Sequence, residues 1–172
     1  MLELSHQSQA VLALSFAGDT LNFATYLRRL LSSECFSIDY VTALGMDVYS
    51  DLMLTNWRHE GINTELIIRL PNKLPGLYLI RTDPNGERSF YFYRQNSAAR
   101  ELFKSSTDEA LIQALLTRDY LYLSGITLAI LDEMSRERLW NLLTLAKKSK
   151  FKLYLIPIIV RHFGLMRKPR AQ

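Results

Sequence analysis

An α/β fold, a mainly parallel sheet flanked by helices with a small β lid, is what this sequence predicts. Three observations predict it. Strand-like and helix-like stretches alternate along the whole chain, the signature of strand–helix–strand units. Ser37–Leu44 is β-rich and mostly apolar, as a parallel strand buried on both faces must be. Two aromatic-rich strands, Gly76–Thr82 and Arg88–Arg94, flank Asp83-Pro84-Asn85-Gly86, a hairpin signal in which Pro presets φ and Asn-Gly accept positive φ. At 172 residues and 48% hydrophobic, the chain can bury a real core.

Taken in order, Met1–Ser5 and Ala10–Phe16 read as short strands. Ala17-Gly18-Asp19-Thr20-Leu21-Asn22 is a tight turn into a helix, with Asp19 or Thr20 as the expected N-cap. Free backbone N–H groups at such a start also suit hydroxyl or anionic ligands. Thr20–Ser32 is helical, with Leu21, Ala24, Leu27, Leu30 and Leu31 on one face and Arg28 and Arg29 in solvent. After the strand to Leu44, Asp47 caps a helix that turns Met53, Leu54 and Trp57 inward. Trp57 reads as core, and His59 as a solvated helix-end residue that suits the dipole.

Thr64–Leu70 is the next strand, followed by the hairpin. Alternation puts Leu77, Leu79 and Arg81 on one face and Tyr78, Ile80 and Thr82 on the other; Phe90, Phe92 and Arg94 oppose Tyr91 and Tyr93. Arg94 at the end of an aromatic strand can grip a carboxylate bidentately, or its stem can lie on the core while the guanidinium reaches water. Ser106–Glu109 fits a capping box, and Ala110–Thr117 a short helix. Asp119–Gly125 is a strand; Leu128–Met134 and Ser135–Lys148 are helices. Lys147, Lys148, Lys150 and Lys152 read as a solvated helix end. Phe151–Val160 can serve as a last strand.

Charge narrows the function. Residues 1–153 carry 17 basic and 17 acidic side chains, so the net +4 resides in Arg161, Arg167, Lys168 and Arg170. A basic tail on a neutral domain is not a nucleic-acid face. No run approaches a membrane span, and no signal peptide is visible. The lone Cys35 excludes an internal disulfide and a Cys-based zinc site. A cytoplasmic setting is the simplest reading. The chain contains no P-loop, HExxH or GxSxG motif.

The segments GDTLN, YLxRLL and YVTALGMD, followed by WRHEGINT, PGLYLIRTDPNGERSFYFYR, SAAR and YLYLSGITLAIL, resemble the N-terminal half of the ribokinase-like (PfkB-type) carbohydrate kinases. Within them the resemblance is strongest to the 2-keto-3-deoxygluconate kinases. It spans about residues 1–153. Two departures stand out: Ala17 where the family usually has Gly, and no Gly within Ser32–Ser37. The resemblance implies an incomplete ribokinase-like fold whose first strand, upstream of Met1, is missing. It implies ATP- and Mg-dependent phosphorylation of a sugar acid in the intact family. Substrate would be held by Gly18, Asp19, Thr20 and Asn22, by Tyr78, and by the aromatic–Arg pair around Phe92, Tyr93 and Arg94. Family members often have Tyr where this chain has Phe92, and Tyr91 or Tyr93 replaces that hydroxyl only in a different strand register.

The family's catalytic aspartate lies in a Gly-Ala-Gly-Asp motif that this sequence does not contain. No catalytic residue and no metal ligand is therefore assigned, and ATP and Mg are not expected to bind well. The expected product is a truncated, inactive 2-dehydro-3-deoxygluconokinase-like chain; the alternative is a non-catalytic sugar-acid-binding or dimerisation module. Its partners would be a small sugar acid and, through lid strands or an exposed sheet edge, a second copy. Residues 154–172 are expected to be out of frame. Back-translating from Tyr154 with free third bases, and reading from the third base, gives Phe-Asp-Pro-Asn-Tyr-Arg-Pro, the family's run at this point. The nucleotide sequence around codon 153 tests this directly.

Overall fold

The computed structural model describes residues 1–8, 10–104, 109–147 and 152–156. Strands β1 (Leu2–His6) and β2 (Leu12–Phe16) form an antiparallel pair and lead into helix α1 (Asp19–Leu30). Next come β3 (Ala43–Gly45), α2 (Val48–His59) and β4 (Ile68–Leu70). The hairpin β5 (Leu77–Thr82) and β6 (Arg88–Tyr93) follows, then a 3-10 turn at Ala98–Glu101 and α3 (Glu109–Leu116). Last come β7 (Tyr120–Ser124), α4 (Gly125–Ile130), α5 (Glu133–Lys147) and β8 (Lys152–Ile156).

The lid is a four-stranded mixed sheet in the order β2-β1-β5-β6, with β1 and β5 parallel and the outer pairs antiparallel. Two parallel ladders, β3–β4 and β7–β8, form the rest of the α/β body. The core falls into two clusters. One packs Leu2 of the lid against Leu21 and Ala24 of α1 and Met53, Leu54 and Trp57 of α2. The other gathers Leu111 and Leu115 of α3, Leu123 of β7 and Leu139, Leu142 and Leu143 of α5, with Val41, Leu66 and Ile68 against it.

Several elements follow the residues that specify them. Asp47 caps α2, its Oδ1 accepting from the N–H groups of Tyr49 (3.0 Å) and Ser50 (3.1 Å) and its Oδ2 from the Ser50 hydroxyl (2.6 Å). Met53, Leu54 and Trp57 are buried, and His59 is exposed in the last turn. In the hairpin turn, Asp83 Oδ1 accepts from the N–H groups of Asn85 and Glu87 (both 2.9 Å). Positive φ falls on Gly86 (87°) and not on Asn85.

Five expectations require correction. The strand expected over Ser37–Leu44 shrinks to Ala43–Gly45, preceded by a single bridge between Asp39 and Asn63. Its partner stretch turns at Thr64, where Ile67 N–H bonds back to the Thr64 carbonyl (3.2 Å), so the ladder resumes only at Ile68. The same turn shortens the strand expected over Thr64–Leu70.

The buried face of α1 is Leu21, Ala24 and Arg28, not Leu21 through Leu31; Leu30 is 81% exposed. Leu21, Ala24 and Arg28 sit at i, i+3 and i+7, one stripe of a 3.6-residue helix, and Leu30 falls off it. Arg28 is buried rather than solvated. Its guanidinium donates to the Phe36 carbonyl (2.7 Å) and to the Leu31 carbonyl, tying down the loop that lacks a glycine. Arg29 stays exposed, paired with Glu60 (2.9 Å).

The helix expected from Leu128 begins at Gly125, because the Ser124 hydroxyl caps it by accepting from Thr127 N–H (3.2 Å). It stops at Ile130, and Asp132 opens α5 by accepting from Ser135 N–H (2.8 Å). The capping box at Ser106, Lys148, Lys150 and the stretch from 157 to 172 lie outside the described residues. Strand β8 runs three residues past Leu153, in register with β7 from Tyr120↔Lys152 to Ser124↔Ile156.

Candidate functional site

The site is built where the lid meets the start of α1. β2 ends at Phe16, and the chain turns through Gly18 at φ 156°, ψ 151°, a region that glycine alone enters readily. Gly18 is the N-cap residue, and no side chain caps the helix, so neither Asp19 nor Thr20 plays that expected role. Both are inside the first turn. The Thr20 hydroxyl shares a hydrogen bond with the Tyr40 hydroxyl (2.9 Å). The Asp19 carboxylate sits at the positive end of the helix dipole, and its Oδ2 is buried without a hydrogen-bond partner.

The Asp19 charge reaches two neighbouring tyrosines, in each case behind the effect of burial. Burial pushes the Tyr40 hydroxyl up to about 12; the Thr20 bond opposes the rise and the Asp19 charge adds to it. Burial and then the Asp19 charge raise Tyr122 as well. Tyr122 lies flat on Phe23, with ring centroids 3.7 Å apart and planes 10° from parallel.

The lid contributes the second half. The β5–β6 register pairs Tyr78 with Phe92 and Ile80 with Phe90, and directly paired residues share a face. Tyr78 and Phe92 ring centroids are 5.7 Å apart, and the Arg94 guanidinium lies 4.4 Å above the Phe92 ring. Among the described residues Arg94 has no carboxylate partner. Tyr93 pairs with Leu77 and Tyr91 with Leu79, so both point to the opposite face. The register therefore separates Tyr93 from the other candidates, and neither tyrosine supplies the hydroxyl that Phe92 lacks.

The Tyr78 hydroxyl is already engaged. It donates to Glu3 Oε2, and Ser15 donates to Glu3 Oε1 (2.9 Å). Burial first and the Glu3 bond second raise the Tyr78 pKa far above its ordinary value. Glu3 and Ser15 escaped the sequence reading. Their signal is alternation: β1 register sets Glu3 beside Tyr78 and opposite Ser15.

The two halves adjoin through Met1 and Gly76. A Cβ on Gly76 would stand 3.1 Å from Arg94 Cβ and 3.3 Å from Met1 Cγ; one on Gly18 would stand 3.9 Å from the Met1 nitrogen. Met1 thus stands between Gly18 and Gly76, Gly76 abuts Arg94, and the buried Met1 ammonium feels the Asp19 charge. Asn22 is exposed and lines a separate cavity of about 240 Å³ between α1 and α2, with Thr25, Arg29, Asn56 and Glu60. Chemically, the arrangement offers an unpaired cation over an aromatic face and a buried carboxylate acceptor at a helix start. It can hold a ligand that is carboxylate at one end and hydroxyl elsewhere.

No helix among the described residues is long and apolar enough to cross a membrane. None of their His, Cys, Asp and Glu side chains form a cluster of three that could hold a metal ion.

Comparison with known proteins bears on the family and the fold. The pfkB family carbohydrate kinase profile matches residues 3–170. A 2-dehydro-3-deoxygluconokinase of Dickeya dadantii is 50% identical over 143 residues, covering 83% of this chain and 46% of that protein. Its counterpart in Haemophilus influenzae is 44% identical over 149 residues, covering 86% and 48%. The chain thus spans about half the length of the curated relatives it matches. Among solved structures, a 2-dehydro-3-deoxygluconokinase from Thermotoga maritima aligns with a TM-score of 0.75 at 21% identity, over 90% of this chain and 47% of that one. A PfkB protein from Polaromonas aligns with a TM-score of 0.75 at 19% identity, over 92% and 53%. At those identities the structures speak for the fold, and the extent of the sequence match speaks for the family: this chain belongs to the pfkB family of carbohydrate kinases.

Proposed function

We propose that this chain is the sugar-gripping part of a 2-dehydro-3-deoxygluconokinase, and that the 172 residues bind the sugar acid without phosphorylating it. Two observations support the reading: an Arg94 guanidinium without a carboxylate partner over the Phe92 ring, and the unpartnered Asp19 oxygen at the Gly18 turn. Arg94 takes the carboxylate, in a charge-assisted bond that Lys cannot imitate bidentately. Asp19 accepts from a sugar hydroxyl, Gly18 lets the sugar approach the backbone, and Thr20 orders the turn through Tyr40. Phe92 and Tyr78 supply an apolar wall. Asn22, which lines the separate cavity between α1 and α2, has no part in this grip, and Tyr93 belongs to the outer face of the lid.

Phosphoryl transfer needs a base for the attacking hydroxyl and charge stabilisation for the transferring group. The sequence contains no Gly-Ala-Gly-Asp motif, and among the described residues no three His, Cys, Asp or Glu side chains cluster to hold a metal ion. The ATP and Mg of the intact family accordingly take no part in the binding reading. The same reading treats residues 1–153 as kinase-derived and residues 154–172 as translated out of frame, in a cytoplasmic protein. A second reading, a module that pairs with its own copy, draws on β6, where Phe90, Tyr91, Phe92 and Tyr93 are each about half exposed or more.

Calorimetry with 2-keto-3-deoxygluconate tests the first reading. Saturable binding is expected, with Arg94→Met weakening it about tenfold or more, the worth of one charge-assisted bond. Sugar-dependent ADP release would overturn the inactivity; equal binding by R94M would overturn the carboxylate assignment.

A further inference from the structure

One aromatic pair near the site has no part in the grip described so far. Asp19 and Phe23 are one turn apart on α1, the spacing that places side chains on the same helix face. Tyr122, from the middle of β7, is stacked on Phe23 at 3.7 Å between centroids. A strand about a hundred positions later in the chain is thereby brought against the start of α1. The negative charge of Asp19 is felt at the Tyr122 hydroxyl, which burial and that charge together hold above its ordinary pKa. A tyrosine in that state remains a neutral O–H donor across the physiological range. Meanwhile Asp19 Oδ2 is buried and accepts nothing. A buried carboxylate oxygen without a donor is uncommon and calls for a partner.

We propose that Tyr122 is a specificity-determining residue of the sugar-acid site, whose hydroxyl and the free Asp19 oxygen together grip one hydroxyl of the ligand. This rests on the reading of the site given above. A sugar hydroxyl both donates and accepts. Its proton goes to Asp19 Oδ2, and its oxygen accepts from the Tyr122 O–H. Phe23 fixes the plane of the Tyr122 ring, so the donor is held in place before the ligand arrives, which lowers the ordering cost of binding. The ligand class is a polyhydroxylated carboxylic acid: Arg94 recognises the acid, and the Asp19–Tyr122 pair recognises the chain that bears the hydroxyls. A site built to bond a hydroxyl discriminates against a ligand that lacks it.

The experiment is calorimetry on the full 172-residue chain with two probes, 2-keto-3-deoxygluconate and pyruvate. Pyruvate keeps the 2-keto acid head and has no hydroxyl. Tyr122→Phe retains the stacked ring and removes only the O–H. The expected result is about a tenfold weaker affinity of Y122F for 2-keto-3-deoxygluconate, the scale of one lost hydrogen bond. Its affinity for pyruvate and its melting temperature should match the parent. R94M should bind both acids about tenfold more weakly or worse. Unchanged Y122F binding of 2-keto-3-deoxygluconate would overturn the proposal and leave the Arg94 reading standing. A Y122F chain that melts lower and binds both acids less would make the Phe23–Tyr122 pair a packing contact only, and would also overturn it. No saturable binding by the parent chain, or full binding by R94M, would overturn the site reading and this proposal with it.

Discussion

Arg28 is the residue whose replacement the structure weighs most directly. It is 9% exposed on the packed face of α1, and its guanidinium donates to two carbonyls, Leu31 and Phe36, at the point where the chain leaves the helix. Its aliphatic stem passes 3.3 Å from where a Cβ on Gly61 would stand, so the stem is packed as well as the head. Replacing Arg28 by Met keeps most of the stem and removes both donors. Each hydrogen bond to a charged group contributes about 1.5 kcal/mol at the low end, so the pair is worth about 3 kcal/mol. For a chain of this size, 1 kcal/mol moves the melting temperature by about 2–4 °C, so R28M should melt about 6–12 °C lower. Arg28→Lys should recover part of the loss, because a single ammonium can reach one carbonyl but not span both. The control is Arg29→Met one residue on, where the Glu60 pair is exposed and little change is expected. Thermal unfolding followed by circular dichroism reads all three. If R28M melts within about 2 °C of the parent, the two carbonyls are satisfied by water and the clamp argument is wrong.

The remaining expectations concern a cap and a titration. Asp47→Ala removes acceptors for two backbone N–H groups and the Ser50 hydroxyl; it should cost about 1–2 kcal/mol, seen as a lower denaturant midpoint with an unchanged slope. Glu101 accepts from Lys73 (2.8 Å) and is paired with Lys104 (3.0 Å), and those partners hold its carboxyl below the ordinary 4.5. A carboxylate whose folded pKa is depressed contributes stability that is present above the unfolded value and is lost as pH falls through the folded one. Stability should therefore fall as pH drops below 4.5, and Glu101→Gln should be less stable at neutral pH with a shallower loss on the acid side. Denaturant midpoints at a series of pH values check this; parallel curves for the parent and E101Q would refute it.

How the chain was readable depends on the range of the forces involved. The hairpin, the Asp47 cap and the inward Met53, Leu54 and Trp57 are set by residues within a turn or two of one another, and they fold as the local chemistry dictates. Alternation also puts Phe92 and Arg94 on one face of β6 and Tyr93 on the other, while the pairing of Tyr78 with Phe92 is decided by the β5–β6 register. Local chemistry also set α4 and α5, through Ser124 and Asp132, yet those caps are legible only once the strand before them is known to end at Ser124.

The sequence by itself determined the α/β order of elements and the family, because periodicity, turn chemistry and motif order are properties of neighbouring residues. Only the tertiary structure decided that Arg28 is a buried clamp, that the Tyr78 hydroxyl is held by Glu3, that Tyr93 faces away, and that Tyr122 closes on Phe23 beside Asp19. Each of those depends on a partner brought in from elsewhere in the chain or on the register of a ladder. The physical reason is that burial and pairing are decided by what a side chain meets in space, and its neighbours along the chain do not specify that.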